Sequence, residues 1–232
     1  MYREALAVCV AGASMGYAVR GRSSTLLGPS VYRGCRNRPS IALTFDDGPS
    51  EGTNHLLDIL NHYRTPATFF LCGMNVRRLP GVAQAVAAAG HEIGNHTYSH
   101  AALYLRSSRF IAGELSAAQS IIADTTGSAP TLFRAPFGAR WFGLRQAQRQ
   151  LSLLGVMWTV LGRDWKLPAD RIERRVLARA KNGAIICLHD GRGVSAGPDI
   201  SATLEAVGRL IPVLQSRGFT FETVSQLLCP TN

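Results

Sequence analysis

The sequence predicts an α/β domain built on a parallel sheet, open or closed into a barrel, and three observations carry that expectation. Seven short apolar runs of strand character alternate with helical stretches from residue 41 onward. Ionisable residues follow the ends of successive runs, where α/β enzymes place their chemistry. The length of 232 residues fits one domain with a sizeable core, and 46% hydrophobic with 17% charged residues is an ordinary globular composition.

Taken in order, the first run predicts a strand over 41–47, stopped at once by Gly48-Pro49. A helix follows over 52–63, with Leu56, Leu57, Ile59 and Leu60 apolar. A strand over 67–72 leads to a helix over 76–89, ended by Gly90. A short strand at 92–95 precedes a helix over 108–124, then a strand at 132–135, a helix over 142–154 and a strand over 156–161. A helix over 169–180, stopped at Asn182-Gly183, leads to a strand over 184–188. The last pair is a helix over 200–217, kinked at Pro212, and a strand over 219–223. No internal repeat is evident.

Residues 5–19 are weakly apolar, follow Arg3 and are interrupted by Gly12, Ser14 and Gly16. The stretch is short and rich in small residues for a membrane span. Two readings stand side by side: a secretory signal or membrane anchor, although Arg20-Gly21-Arg22 follows without a clean cleavage site, and a helix docked on the domain.

The net charge is +10, and only Lys166 and Lys181 are lysines. The arginines are scattered, with no run of five and no interleaved aromatics. Net charge alone does not argue for a nucleic-acid partner, and none is expected. The five cysteines (Cys9, Cys35, Cys72, Cys187 and Cys229) show no metal-ligand or disulfide spacing. Cys72 and Cys187 lie in apolar runs and read as core residues, while a Cys35–Cys229 bridge is compatible with the sequence.

The chemistry centres on Thr44–Ser50, which places Asp46 and Asp47 at a strand tip. Neighbours on a strand point to opposite faces, so the two carboxylates are expected to do different jobs. In Asn95-His96-Thr97-Tyr98-Ser99-His100 the two imidazoles are four apart, which puts them on one side of a helical turn or tight loop. Two histidines and one carboxylate form a common three-ligand set for a catalytic zinc, leaving one position for water. His55, His62 and His91 read as structural. Three further strand ends carry Arg134-Ala135-Pro136-Phe137-Gly138, Asp164-Trp165 and Leu188-His189-Asp190-Gly191. Alone, Arg134 would read as a surface ion pair and Trp165 as core. Together the clusters point to one convergent site.

These motifs, in this order and spacing, resemble the polysaccharide deacetylases, carbohydrate esterase family four, also called the nodulation-protein B homology domain. The resemblance covers roughly residues 38–228. It implies a distorted (β/α)7 barrel of the polysaccharide deacetylase type, with residues 1–37 as an N-terminal segment and 38–229 as the catalytic domain. It also implies metal-dependent removal of N-acetyl or O-acetyl groups from sugars. Carried over residue by residue, Asp47, His96 and His100 would bind the metal, most commonly zinc in this family. Asp46 would be the general base, with Arg134 holding it ionised and aimed. His189 would be the general acid, with Asp164 hydrogen-bonded behind it, and the backbone N–H of Phe137 would help to bind the oxyanion.

The chemistry behind those roles is elementary. An amide carbonyl is a poor electrophile, so a Lewis acid must polarise it, and zinc lowers the pKa of its water to about 7. A tetrahedral oxyanion is stabilised by metal plus a backbone donor. An amine leaves only when protonated, which requires a second titrating group. Asp46 kept low by Arg134 and His189 raised by Asp164 would supply the two separated pKa values.

Three departures from the family pattern stand out. Phe137 replaces a common tyrosine, Leu161 an aspartate often found three positions before Asp164, and Cys187 a leucine two positions before the acid histidine. Cys187 and His189 share one strand face, so Cys187 and Trp165 are expected to wall a pocket for the acetyl methyl. The expected substrate is an N-acetylglucosamine-containing polymer, either peptidoglycan or a chitin-like oligosaccharide. O-deacetylation of xylan-type chains, hydrolysis of a non-sugar amide and a non-catalytic carbohydrate-binding domain are the alternatives. An envelope polymer as partner implies a place in the cell envelope or outside the cell, with membrane association through the N-terminal segment.

Overall fold

The computed structural model describes residues 12–228. Residues 12–20 form helix α1. The elements that follow are β1 (Ser30–Val31), β2 (Ser40–Gly48), α2 (Thr53–His62), β3 (Thr68–Leu71), α3 (Gly73–Arg78), α4 (Pro80–Ala88), β4 (Glu92–Asn95) and α5 (Ser108–Thr126). The second half contains β5 (Leu132–Phe133), α6 (Leu144–Gln150), β6 (Leu154–Val156), β7 (Val160–Leu161), α7 (Ala169–Leu177), β8 (Ala184–His189), α8 (Ser201–Ser216), β9 (Thr220–Phe221) and α9 (Val224–Leu227).

The nine strands among the described residues join one parallel sheet in the order β1-β6-β5-β4-β3-β2-β8-β7, with β9 also on β2. Strands β6 and β7 lie near opposite ends of that order, yet only residues 157–159 connect them. So short a link spans at most about 14 Å. The sheet must therefore curl back on itself, and the expected barrel is a distorted, incompletely paired one.

Strand alternation builds two cores on the two faces of this curl. Ile41, Leu43 and Phe45 of β2, with Ile186 and Leu188 of β8, pack outward against Ile172, Val176, Leu210 and Ile211 of α7 and α8. Ala42 and Ile185 face inward with Phe70, Leu132 and Val156, and Val224 and Leu227 of α9 pack against them. Continuing that inner row toward the strand ends gives Thr44 and Asp46 on β2 and Cys187 and His189 on β8. The pairing sets Thr44 opposite Cys187 and Asp46 opposite His189. Apolar residues at one end of the curl thus give way to polar ones at the other.

Several elements differ from the sequence expectation, each for a local reason. The strand expected over 156–161 is two strands, because the intervening carbonyls bind side chains instead of a neighbouring strand. Arg134 donates to the Val156 and Met157 carbonyls, and Arg22 to those of Trp158 and Thr159. The helix expected over 76–89 is broken at Leu79, whose backbone (φ −127°, ψ 57°) is pushed out of the helical region by Pro80. Helix α8, by contrast, spans Ser201–Ser216 with Pro212 inside it, close to the expected bounds. Strand β1, on a stretch with no apolar run, lies upstream of the expected domain start yet pairs in register with β6.

On the N-terminal side, Ala18 and Val19 pack with Leu27 and Ala139. The buried Arg140 guanidinium donates to the Gly21 and Ser24 carbonyls, tying this segment to the domain. No helix among the described residues is long and apolar enough to cross a membrane. The charged start of the segment and Cys9 lie outside the described residues. Cys35 is disulfide-bonded, and Cys229, whose bridge to it is compatible with the sequence, also lies outside the described residues. Cys72 and Cys187 are free and buried.

Candidate active site

Because all strands run parallel, their C-terminal ends collect at one rim, and the predicted residues meet there. Asp46 keeps the inward direction of β2. Asp47 leaves it, because its backbone is left-handed (φ 72°) and the pairing with β3 shifts register between Asp46 and Gly48. Aspartate tolerates that conformation better than most residues. The turn, together with strand alternation, sends the two neighbouring carboxylates to different partners.

Asp47 meets the two histidines. Its Oδ1 lies 3.2 Å from His96 Nε2 and 3.0 Å from His100 Nε2. Neither contact has hydrogen-bond alignment, so this buried oxygen has no hydrogen-bond partner. Three ligand atoms that crowd together without bonding one another suit a cation between them. The His96 Nδ1 lies 2.8 Å from the Arg134 carbonyl, which can only accept, so Nδ1 carries the proton and Nε2 presents a lone pair. Asp47 Oδ2 accepts from the Gly193 N–H at 2.9 Å. Asp47, His96 and His100 are thus a set fitted to a metal ion.

Residues that carry no local signal hold this set in place. Glu114 on α5 accepts from the Tyr98 and Ser99 N–H groups at 3.1 and 2.8 Å and from Ser99 Oγ at 2.9 Å. It fixes the tight loop, left-handed at Thr97 and His100, that carries both imidazoles. Asn75 donates to the Asp47 carbonyl at 2.7 Å and to that of Gly193 at 2.8 Å, tying two loops together.

Asp46 pairs instead with Arg134, which is fully buried inside the curl rather than on the surface. Arg134 Nη1 donates to Asp46 Oδ1 at 2.6 Å and to Thr44 Oγ1 at 2.7 Å, and the guanidinium lies 4.1 Å from the centre of the Phe70 ring. Asp46 Oδ2 has Cys187 Sγ at 3.4 Å.

Across the cleft, His189 Nδ1 bonds Asp164 Oδ1 at 2.9 Å. Asp164 Oδ2 accepts from the His189 N–H at 2.8 Å and from Thr203 Oγ1 at 2.7 Å, so the carboxylate is locked in orientation. Burial lowers the His189 pKa, but the hydrogen bond and charge of Asp164, helped by Asp46 and Asp47, push it up to about 9. Burial would raise Asp164, yet its bond with His189 keeps it below the usual carboxylate value.

The cleft among these groups has a volume of about 580 Å³. Trp165 and Cys187 line it, together with Leu161. Trp165 is half exposed rather than core, with its ring edge-on to His189 at 5.0 Å. Phe137 sits at the mouth with a left-handed backbone (φ 57°) and its ring 4.8 Å from His100. Its 3₁₀ turn begins at Pro136, directly after Arg134-Ala135.

Asp190, adjacent to His189, is fully buried and accepts from Thr53 Oγ1 at 2.7 Å. Burial pushes its pKa up to about 7. It packs so close beneath β2 that a side chain at Gly48 would collide with its carboxylate. The motif Leu-His-Asp contains it, but nothing in the sequence assigns it this supporting place.

Comparison with known proteins follows this geometry. The family model described as polysaccharide deacetylase matches residues 33–156. A chitooligosaccharide deacetylase of Bradyrhizobium sp. (strain ANU 289) is 37% identical over 197 residues, covering 81% of this chain and 90% of that protein. A peptidoglycan-N-acetylglucosamine deacetylase of Bacillus cereus is 32% identical over 199 residues, covering 85% of this chain and 71% of its own. The crystal structure of a peptidoglycan N-acetylglucosamine deacetylase bound to a hydroxamate-type benzamide superposes with a TM-score of 0.81 at 32% identity, covering 86% of this chain and 92% of that one.

Proposed function

The chain belongs to the polysaccharide deacetylase family, and from that premise we propose that it removes N-acetyl groups from an N-acetylglucosamine-containing glycan by metal-dependent hydrolysis. The observation that carries the proposal is that one cleft contains a metal-type ligand set, a carboxylate paired with a buried arginine, and an imidazole paired with a buried carboxylate. A domain that only bound carbohydrate would need neither of the last two.

Asp47, His96 and His100 would hold the ion, and zinc suits two imidazoles and a carboxylate. When bound, such an ion polarises a carbonyl oxygen and lowers the pKa of a water it coordinates. The chain's own groups do the rest. Asp46, aimed through its Oδ1 by Arg134, takes a proton from the attacking water as the new C–O bond forms. The Phe137 N–H, turned by its left-handed backbone, donates to the developing oxyanion. His189 holds its transferable proton at Nε2, since Nδ1 is engaged by Asp164, and gives it to the leaving nitrogen as the C–N bond breaks. Acetate and a free amino sugar result. Trp165, Leu161 and Cys187 wall the side of the cleft where the acetyl methyl would lie.

Between the two candidate polymers, one observation favours peptidoglycan. Arg22, Arg33, Arg36, Arg175, Arg179 and Lys181 line a groove that shares Trp158 and Leu161 with the cleft and has no acidic lining residue. Burial and the like charges of Arg179 and Arg163 pull the Arg175 pKa below its ordinary value. Such a groove suits a glycan carrying carboxylates, as stem peptides do, better than a neutral chitooligosaccharide. An envelope substrate would place the protein in the cell envelope or outside the cell. Acetate release from peptidoglycan fragments and from chitooligosaccharides, with zinc and after chelation, tests the reading. Faster release from peptidoglycan, weakened by salt, is expected. Release from neither polymer by the zinc-loaded protein would refute it.

A further inference from the structure

We propose that Asp46, Cys187 and His189 form a second, inhibitory transition-metal site, distinct from the Asp47–His96–His100 set. One ligand atom from each of these three residues lies within 4.8 Å of the other two. Tetrahedral zinc, with bonds of about 2.0–2.3 Å, sets neighbouring ligand atoms about 3.4 Å apart. The Cys187 Sγ to Asp46 Oδ2 distance is already 3.4 Å.

The supporting contacts leave the right atoms free. Arg134 engages Asp46 Oδ1 and leaves Oδ2, while Asp164 engages His189 Nδ1 and leaves Nε2. A carboxylate behind an imidazole is the arrangement that orients metal-ligating histidines. Strand geometry makes the cluster: Cys187 and His189 share a face of β8, and Asp46 is paired opposite His189. A leucine at 187 would provide two donors only.

Burial and the nearby Asp46 push the Cys187 thiol well up, so it is protonated in the free protein. Coordination replaces that proton and the one His189 holds at Nε2: the S–H and Nε2–H bonds break, sulfur–metal and nitrogen–metal bonds form, and two H⁺ go to solvent. The thiolate and Asp46 carboxylate then balance the divalent charge. Sulfur makes the site favour zinc, cobalt or copper(I) over magnesium or calcium.

The ion would occupy the groups that the proposed function uses as base and acid, so its inhibitory effect rests on that reading; its binding does not. The test is a cobalt(II) titration of metal-free protein. The expected result is two ions per chain, the second producing a near-ultraviolet sulfur-to-cobalt charge-transfer band. Cys187→Ala should lose the band and one ion, while Cys72→Ala keeps both. Asp47→Ala should lose one ion and keep the band, which separates failure of this inference from failure of the primary site. His189→Gln keeps the thiol and should weaken the second ion at least tenfold, a check that does not depend on Cys187→Ala folding. Excess zinc should also suppress acetate release in the unaltered chain, with a smaller fold-suppression in Cys187→Ala relative to that variant's own rate. No sulfur band at excess cobalt in the unaltered chain, or a band surviving in folded Cys187→Ala, would overturn the proposal.

Discussion

Asp164→Asn is the perturbation that most sharply tests how His189 is tuned. The histidine stands at about 9 against an ordinary 6.5, and Asp164 supplies the first two causes that raise it. The difference is about 3 kcal/mol of proton affinity, at about 1.36 kcal/mol per pH unit. Removing the charge leaves burial, the largest influence and one that lowers the value, against only the weaker pull of Asp46 and Asp47, so the variant's histidine should titrate near 6.5. If the protonated form is the acid, at pH 8 about nine-tenths of the parent's His189 carries its proton, against about 3% in the variant. The variant's kcat/KM at pH 8 should therefore fall about 25-fold relative to its own value at pH 6. Thr203→Val is the control: it removes one hydrogen bond to Asp164 Oδ2 but keeps the charge, and should move the alkaline limb little. The assay is a pH–rate profile of acetate release. An alkaline limb unmoved in Asp164→Asn would refute the assignment of His189 and Asp164 as a working pair.

Other outcomes follow from the same contacts. Arg134→Ala leaves the Asp46 carboxylate buried without its partner and should cost about 3–5 kcal/mol of stability, read by urea denaturation. Glu114→Ala frees the loop that carries His96 and His100, and zinc affinity measured by competition with a chelator should drop about 10–100-fold. Because the His189 pKa is raised on folding, its stabilisation is complete below pH 6.5 and is lost as pH rises through about 9. The denaturation midpoint should decline across that window in the parent and stay flatter in Asp164→Asn.

Much of the site was legible because its residues sit beside strand ends that hydrophobic runs mark clearly. Asp46, Asp47, His96 and His100 come from two short motifs, and the placement of Cys187 beside His189 follows from a period of two along β8. The pairing of Asp46 with Arg134 bridges 88 positions, and only the resemblance proposed it. Glu114, Asn75 and Thr203 were not legible, since each acts through contacts between distant elements and none has a distinctive neighbourhood in sequence. The same holds for the divided strand at 156–161. Its residues read as one apolar run, and the break exists because Arg134 and Arg22 occupy the carbonyls between. The break at Leu79 is readable from Pro80, although an apolar pattern runs on through it. Strand β1 has only two residues and no periodicity to detect.

The separate roles of the neighbouring carboxylates are the centre of the account, and Asp46→Asn tests them most directly. The variant keeps the shape of the Arg134 contact and does not touch Asp47, His96 or His100. Zinc should fill its Asp47–His96–His100 set as in the parent, while acetate release from an N-acetylglucosamine oligomer should fall at least about 100-fold. Parent-like release from the zinc-loaded variant, or undiminished release by the parent after its zinc is removed, would contradict the account.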